Sequence, residues 1–184
     1  GIARATGFPA VAVCTSGTAA AEFLPAAVEA RHGRVPLILI TADRPADLQG
    51  VGAPQTSDQA GIYGAAVKWA HDLEPPPTGH GAPGLAAALA ARLVTAALES
   101  PPGPVHLNLR LREPLVPTGP RPAPSAAAPT FLPGRLLPTP DVVERLTALV
   151  AGRRGLLVLG PQDDPALPAA AAACAAACVF PILA

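Results

Sequence analysis

The sequence contains no methionine, few aromatic residues and no excess of either charge. Of its 184 residues, 50% are hydrophobic but only 3% are aromatic, so the core must consist mainly of Ala, Val and Leu. Lys and Arg together number 13, as do Asp and Glu. This balance removes the bulk electrostatic argument for binding nucleic acid or an anionic membrane surface. A small polar ligand remains compatible with the composition.

Long apolar segments and a cysteine framework are also missing. The longest apolar stretch, residues 166–184, is mostly Ala and is broken by Pro168 and Pro181, which argues against a membrane-spanning helix. Three cysteines in apolar surroundings are too few for a disulfide framework, and they are Cys14, Cys174 and Cys178. We therefore expect a cytoplasmic protein without membrane insertion.

Short apolar runs alternate with helical patterns in the first half of the chain. This alternation is typical of α/β proteins, in which helices cover a parallel sheet, and runs without polar residues indicate strands that are covered on both faces. In the last of these strands, His106, Asn108 and Arg110 share one face. The predicted strands are 9–14, 35–41, 67–73 and 104–111, and the predicted helices are 16–31 and 85–98.

Prolines recur between residues 114 and 140 and cannot sustain a helix or a sheet ladder there. We predict an interdomain linker at 118–139 and the start of a second α/β domain at 140–184, in which Asp141 marks the beginning of a helix. A strand at 155–160, a helix at 165–178 and a strand at 179–183 are expected to follow. The chain begins without Met and ends on an apolar run, so we expect both ends to be truncations.

The first polar motif is Thr15-Ser16-Gly17-Thr18, between a predicted strand and a predicted helix. Gly17 permits a close backbone turn, and the start of a helix offers free N–H groups to a polar ligand. Ser16 or Thr18 could instead cap the helix, and the four residues by themselves favour capping. The motif is neither a GxGxxG nor a Walker loop.

A second polar motif, Thr41 to Pro45, places Asp43 and Arg44 after the next predicted strand. Ligands of open α/β sheets bind at the carboxyl ends of the strands. An arginine there suits a substrate carboxylate, because its planar fork binds two oxygens at once. A surface pair between Asp43 and Arg44, or a cap, is the alternative.

A third polar segment, residues 50–59, has two glycines for tight turns and two amides, Gln55 and Gln59, that both donate and accept hydrogen bonds. By itself it is an ordinary polar loop. His106 could be proposed as an acid or base, but a lone strand histidine without a paired acid is usually a structural hydrogen bonder. We interpret it in that way.

Six segments occur in order along the chain: 14–21, 23–26, 34–38, 41–45, 52–55, and 103–109 with 112–117. Together they resemble the pyrimidine-binding domain of the thiamine-diphosphate-dependent synthases of menaquinone biosynthesis. The resemblance covers residues 1–117 and implies that they form this domain with its N-terminal part missing. Residues 140–184 would begin the central domain of the family.

The resemblance implies a transferase that decarboxylates 2-oxoglutarate and adds the product to isochorismate, using thiamine diphosphate and Mg²⁺. It also implies a homo-oligomer. Arg44 would bind an isochorismate carboxylate, and Gln55 would contact cofactor or substrate, while Pro54 stands where many relatives carry Asn. Four residues would lie at the pyrimidine end of the cofactor: Thr15, Ser16, Gly17 and Thr18.

The same resemblance places other groups outside this chain. The glutamate that activates the cofactor is expected upstream of residue 1, and the diphosphate and magnesium site, a Gly-Asp-Gly followed by an Asn, in a C-terminal domain. We therefore expect no catalytic residue and no metal ligand here, and no turnover by this segment alone. Two alternatives remain, another thiamine-diphosphate carboligase related to acetolactate synthase and a non-catalytic α/β binding module.

Overall fold

The computed structural model describes residues 1–74, 82–116, 119, 134, 137–162, 164 and 166–184. The chain divides into two compact units, residues 1–134 and residues 135–184. The linker predicted at 118–139 falls mostly outside the described residues. The predicted domain boundaries therefore stay a prediction.

The first unit is a parallel four-stranded sheet with helices packed on it, in the strand order β1-β2-β4-β3. This confirms the predicted fold class. The strands are β1 (Ala10–Cys14), β2 (Leu37–Asp43), β3 (Trp69–Leu73) and β4 (Pro104–Arg110), and the helices are α1 (Ile2–Thr6), α2 (Thr18–Ala21), α3 (Leu24–His32) and α4 (Ala82–Leu98).

The two faces of this sheet are covered differently. On one face, Ile38 and Val105 pack against Leu93 and Ala97 of α4 in a fully apolar cluster. On the other face, Leu39 packs with Ala27 of α3 and with Tyr63. Burying a Leu or Val side chain contributes about 1.5–3 kcal/mol, so these two clusters hold the helices to the sheet.

The strand register brings the polar motifs to one edge of the sheet. Cys14 pairs with Thr41, and Thr41 pairs with Asn108 on the other side of β2. Asn108 also pairs with Asp72 of β3. Because the strands are parallel, the segments that follow β1 and β2 both leave the sheet at this carboxyl edge.

The single helix predicted at 16–31 is wrong, because two helices occupy this segment, α2 and α3. Pro25 lies in the first turn of α3. Proline has no N–H to donate to the carbonyl four residues earlier, so it is tolerated in a first turn and breaks a continuous helix. Helix α1 was not predicted at all.

Strand β1 was expected to be a buried strand, and this is also wrong. Val11 is 58% exposed and Val13 is 68% exposed. The strand lies at the edge of the described sheet, and α4 packs on β2 and β4. One face of β1 is therefore uncovered in the described part of the chain.

Strand β2 runs to Asp43 instead of ending at Thr41 as predicted. The ladder with β4 continues through the pair of Asp43 and Arg110, which keeps the last residues extended. Asp43 is therefore part of the strand, and Arg44 is the first residue beyond it.

The second unit contains helices α5 (Pro140–Val150) and α6 (Leu167–Cys178), and the parallel strands β5 (Leu157–Val158) and β6 (Ile182–Leu183). Thr139 is the residue before α5, and Asp141 lies in its first turn, where a carboxylate is favourable. Both strands are shorter than predicted. Strand β6 begins late because left-handed Val179 ends α6 and Pro181 cannot donate to a ladder. Among the described residues, no helix combines the length and apolarity needed to cross a bilayer.

Candidate functional site

Three sequence motifs meet at the carboxyl edge of the sheet. Arg44 Nη1 donates to Ser16 Oγ at 2.9 Å, which joins the end of β2 to the turn after β1. Gln55 Nε2 donates to Thr15 Oγ1 at 3.0 Å and to the Ser16 carbonyl at 3.1 Å. The structure therefore brings together Thr15, Ser16, Gln55 and Arg44, which are separated by up to 40 positions in the sequence.

The turn after β1 requires glycine at position 17. Gly17 has φ +80°, and a Cβ there would lie 3.0 Å from Gln55 Cγ and 3.4 Å from the Gln55 carbonyl oxygen. A side chain would thus be strained by the backbone and would also displace Gln55. Gly17 lets the loop of Gln55 lie directly against the turn.

The two predicted roles of this turn need correction. Gly17 is the residue before α2, which has no side-chain cap, so neither Ser16 nor Thr18 caps the helix. The expected free N–H groups are also reduced, because the Gly17 N–H donates to Gln59 Oε1 at 2.7 Å. Thr18 is exposed at the first position of α2.

The surface pair proposed for Asp43 and Arg44 does not form. Asp43 is only 3% exposed and accepts hydrogen bonds from the Arg44 backbone N–H at 2.7 Å, Gln49 Nε2 at 3.1 Å and Asn108 Nδ2 at 2.8 Å. Among the residues that the structure describes, the ion pairs involve other arginines. The Arg44 guanidinium has the neutral Ser16 hydroxyl as its partner and retains N–H groups for a ligand.

A cleft of about 330 Å³ adjoins Arg44. Its wall combines Arg44 with Thr15 and with the apolar side chains of Leu48, Leu111 and Leu115. Three further charged residues line it, namely Asp43, Arg112 and Glu113. Binding sites for small molecules typically pair apolar walls with a few polar groups that fix orientation. This cleft fits a small carboxylate that also has an apolar face.

The neighbouring arginine, Arg110, is already neutralised. Its Nη2 lies 2.7 Å from Asp72 Oδ2 and its Nη1 lies 3.2 Å from Glu74. Burial acts to raise the pKa of Asp72, but the hydrogen bonds from Arg110 and Asn108 outweigh it and hold that pKa below its usual value. A second cleft of about 430 Å³ lies beside Arg110. The charge of this arginine is already balanced by Asp72 and Glu74.

A buried polar layer lies beneath the site. Thr41 Oγ1 lies 2.8 Å from His106 Nε2 and donates to Asn108 Oδ1 at 2.7 Å. Asn108 Nδ2 in turn donates to Asp43 and Asp72, each at 2.8 Å. The layer satisfies its polar groups internally, as buried polar atoms require.

His106 is neutral in this layer. It is 1% exposed, and burial lowers its pKa to about 4. Because the Thr41 hydroxyl donates to Asn108, His106 Nε2 carries the proton that Thr41 accepts. Tyr63 packs edge-on against its ring at 4.6 Å between centroids. These contacts agree with the interpretation of His106 as a structural hydrogen bonder.

Sequence reasoning missed the part played by Gln59 and Asn108. Asn108 stands on the polar face predicted for β4, together with His106, and that shared face was the available signal. Gln59 was interpreted only as one amide of a polar loop, yet it is 1% exposed. Nothing in the loop sequence indicates that this amide folds back under the sheet edge.

Known proteins resemble the chain in sequence and in fold. Residues 1–62 match the family model described as thiamine pyrophosphate enzyme, N-terminal TPP binding domain. The chain is 48% identical to the 2-succinyl-5-enolpyruvyl-6-hydroxy-3-cyclohexene-1-carboxylate synthase of Chloroflexus aurantiacus and 44% identical to that of Geobacillus thermodenitrificans. Each alignment covers 100% of this chain and 32% of the relative.

A solved structure shares the fold. The crystal structure of benzoylformate decarboxylase from Polynucleobacter necessarius aligns with a TM-score of 0.65 at 20% sequence identity. The alignment covers 86% of this chain and 28% of that one. At this identity the likeness bears on the fold alone.

The fold and the family model together define a domain of the thiamine-pyrophosphate enzymes. Within that class, the chain is similar along its whole length to part of the 2-succinyl-5-enolpyruvyl-6-hydroxy-3-cyclohexene-1-carboxylate synthases. The chain spans about a third of the length of the curated relatives it matches. These matches favour neither the acetolactate-synthase alternative nor the non-catalytic binding module.

Proposed function

We propose that the complete protein containing these residues is a transferase of menaquinone biosynthesis that decarboxylates 2-oxoglutarate and adds the product to isochorismate. The observation that carries the proposal is the Arg44 guanidinium, which lies beside a cleft and has a neutral hydroxyl as its partner. The identity of 44–48% to synthases of this name over the whole chain supports it.

Arg44 would bind a carboxylate of isochorismate. Its planar fork can donate to both carboxylate oxygens, and a hydrogen bond to a charged group contributes about 1.5–3 kcal/mol. The bond to Ser16 holds the guanidinium at the mouth of the cleft. Leu48, Leu111 and Leu115 would face the ring of the substrate.

The turn after β1 fits the pyrimidine end of thiamine diphosphate. Its groups are uncharged hydroxyls and an amide, which suit a neutral ring that both donates and accepts hydrogen bonds. The absence of a side chain at Gly17 leaves the turn closely covered by Gln55. Thr15, Thr18 and Gln55 are exposed at this edge and would contact the ring.

When bound, thiamine diphosphate supplies the chemistry that cleaves a 2-oxo acid and transfers the remainder. The residues described above orient the ring and the acceptor substrate. Mg²⁺ and the diphosphate group would be held by parts of the protein outside this chain. The resemblance implies a cofactor that lies between two subunits, so a homo-oligomer is part of the proposal. A cytoplasmic location is proposed as well.

An assay of the complete protein tests the proposal. With thiamine diphosphate, Mg²⁺, 2-oxoglutarate and isochorismate, we expect carbon dioxide release and consumption of both substrates. Pyruvate in place of 2-oxoglutarate is the control. Turnover of pyruvate without turnover of 2-oxoglutarate would reject the assignment and favour an acetolactate-synthase type of reaction.

A further inference from the structure

Gln59 connects three strand ends with one side chain. Its Oε1 accepts the N–H of Gly17, which follows β1, at 2.7 Å. Its Nε2 donates to the carbonyl of Ala42 in β2 at 3.0 Å and to Oδ1 of Asn108 in β4 at 3.0 Å. The side chain is 1% exposed, so water does not compete for these bonds.

The orientation of this amide is fixed by its neighbours. Asn108 directs its Nδ2 to two carboxylates, Asp43 and Asp72, and therefore presents its Oδ1 to Gln59. The Ala42 carbonyl is likewise an acceptor, so the Nε2 of Gln59 must face both. Its oxygen is left for Gly17, because a reversed amide would set acceptor against acceptor at two contacts.

The turn held by Gln59 carries the contacts of the proposed site. Ser16, immediately before Gly17, accepts Arg44 Nη1 on its hydroxyl and Gln55 Nε2 on its carbonyl. A shift of the Gly17 amide would therefore move the partner groups of both side chains. Gln59 itself is buried beneath the turn and is not one of the residues that line the cleft beside Arg44.

We infer that Gln59 is a positioning residue, which acts through the Gly17 turn to set where Arg44 and Gln55 stand. This inference rests on the proposed function for its kinetic consequence. Its structural part, the dependence of the turn on one buried amide, does not need any activity. Misplacement of a binding group by about 1 Å can cost on the order of 100-fold in rate. Loss of the Gln59 hydrogen bonds should therefore have a measurable effect on the kinetics.

The experiment compares Gln59→Leu with the wild-type complete protein and with Tyr63→Phe. The leucine replaces the amide by an apolar side chain of similar size and removes all three bonds. Tyr63→Phe removes another buried hydrogen bond, from Tyr63 Oη to the Ala20 carbonyl of α2 at 2.6 Å, and touches neither Arg44 nor Gln55. It controls for a loss of stability alone.

Amide hydrogen exchange, read by mass spectrometry with fragmentation that resolves the Gly17 amide from the amides of α2, reports on the turn. We expect faster exchange in Gln59→Leu, and wild-type exchange at Gly17 in Tyr63→Phe. In the kinetic arm, the KM for isochorismate should rise about tenfold or more in Gln59→Leu, and it should stay at its wild-type value in Tyr63→Phe.

Each outcome decides the inference. Unchanged protection of the Gly17 amide in Gln59→Leu would overturn it, as would an equal rise of KM in both variants, which would indicate a general loss of stability. Gln59→Glu, which keeps the acceptor and loses both donors, should protect the Gly17 amide better than the leucine does. A wild-type protein that does not use isochorismate would refute the proposed function, and the exchange arm would still decide whether Gln59 holds the turn.

Discussion

The ends of β2 and β4 each carry an arginine at the same edge of the sheet, and the two are used differently. Arg110 makes two hydrogen bonds to Asp72 and an ion pair with Glu74. Arg44, just beyond β2, contacts the neutral hydroxyl of Ser16. The carboxylate next to it, Asp43, is turned inward and bonded to Asn108 and to backbone.

This difference teaches that the availability of a cation depends on where nearby carboxylates point. Asp43 and Asp72 both accept from Asn108, but only Asp72 also reaches an arginine side chain. The inward turn of Asp43 leaves Arg44 without a charged partner among the described residues. An arginine in that state is suited to bind a ligand, whereas Arg110 is suited to stabilise the sheet.

Protonation of His106 would place a charge in the buried polar layer beneath Arg44 and Arg110, and this should disrupt both arrangements. Burial lowers the pKa of His106 to about 4 from an ordinary value of 6.5, so the unfolded chain takes up a proton first as the pH falls. The stabilisation that depends on neutral His106 is fully present above pH 6.5 and is lost as the pH falls from 6.5 to 4. The loss amounts to about 3 kcal/mol.

Unfolding of the complete protein, followed from pH 7 to pH 4, measures this effect. The variant His106→Gln keeps a neutral donor and cannot titrate, so its stability should fall less steeply over the same interval. Identical pH dependence in the two proteins would show that His106 is not held neutral.

Substitution of the two arginines sharpens the comparison. Arg44→Ala in the complete protein should lower kcat/KM for isochorismate by about 10- to 150-fold, since 1.5–3 kcal/mol of charged hydrogen bonding is lost. Arg44→Lys should recover part of the loss, because it restores the charge but not the planar fork. Steady-state kinetics with each substrate measure both.

Arg110→Ala is the matched control. It should leave the KM for isochorismate nearly unchanged and lower the free energy of unfolding by about 1 kcal/mol, because it removes a partly exposed ion pair. If Arg110→Ala impaired isochorismate use as strongly as Arg44→Ala, the assignment of different roles would be wrong.

Two glycine substitutions separate backbone strain from the close contact beside Arg44. Gly17→Ala and Gly61→Ala both place an alanine at positive φ, +80° and +73°, but only the Cβ at position 17 meets Gln55. Both should lose about 1–3 kcal/mol of stability, and more at position 17, where a ψ of −143° lies in a region nearly restricted to glycine. Gly17→Ala should also weaken activation by thiamine diphosphate. Equal cofactor dependence in the two variants would show that the contact with Gln55 is unimportant.

The smallest effect is expected for the exposed pair of Arg112 and Asp47, which are 2.6 Å apart at the side of the Arg44 cleft. The Arg112 hydrogen bond lowers the pKa of Asp47, yet solvent screens both side chains. Arg112→Ala should change the KM for isochorismate by no more than about twofold. A larger change that persists at high salt would make Arg112 a second binding cation.

The sequence was sufficient to predict the parallel sheet and the meeting of the motifs at one edge. Uninterrupted apolar runs such as 37–40 indicate buried strands, and parallel strands present their carboxyl ends together. From this rule alone, Thr15 and Arg44 could be expected near one another, whereas only the resemblance placed Gln55 beside them.

Other features depend on tertiary contacts that periodicity does not encode. The exposure of Val11 and Val13 depends on which strands α4 covers, and the inward turn of Asp43 depends on the register that sets it opposite Arg110. Gln59 could not be found because its role follows from the path of a loop. The break between α2 and α3 was readable in principle, since Pro25 was visible in the sequence.

A structure of the complete protein with isochorismate bound tests the central claim most directly. The account predicts a carboxylate of the substrate about 2.7–2.9 Å from the Arg44 guanidinium, with Ser16 still bonded to it and Arg110 still paired with Asp72. A substrate whose carboxylates contact Arg110 instead, with Arg44 turned away from the cleft, would contradict it.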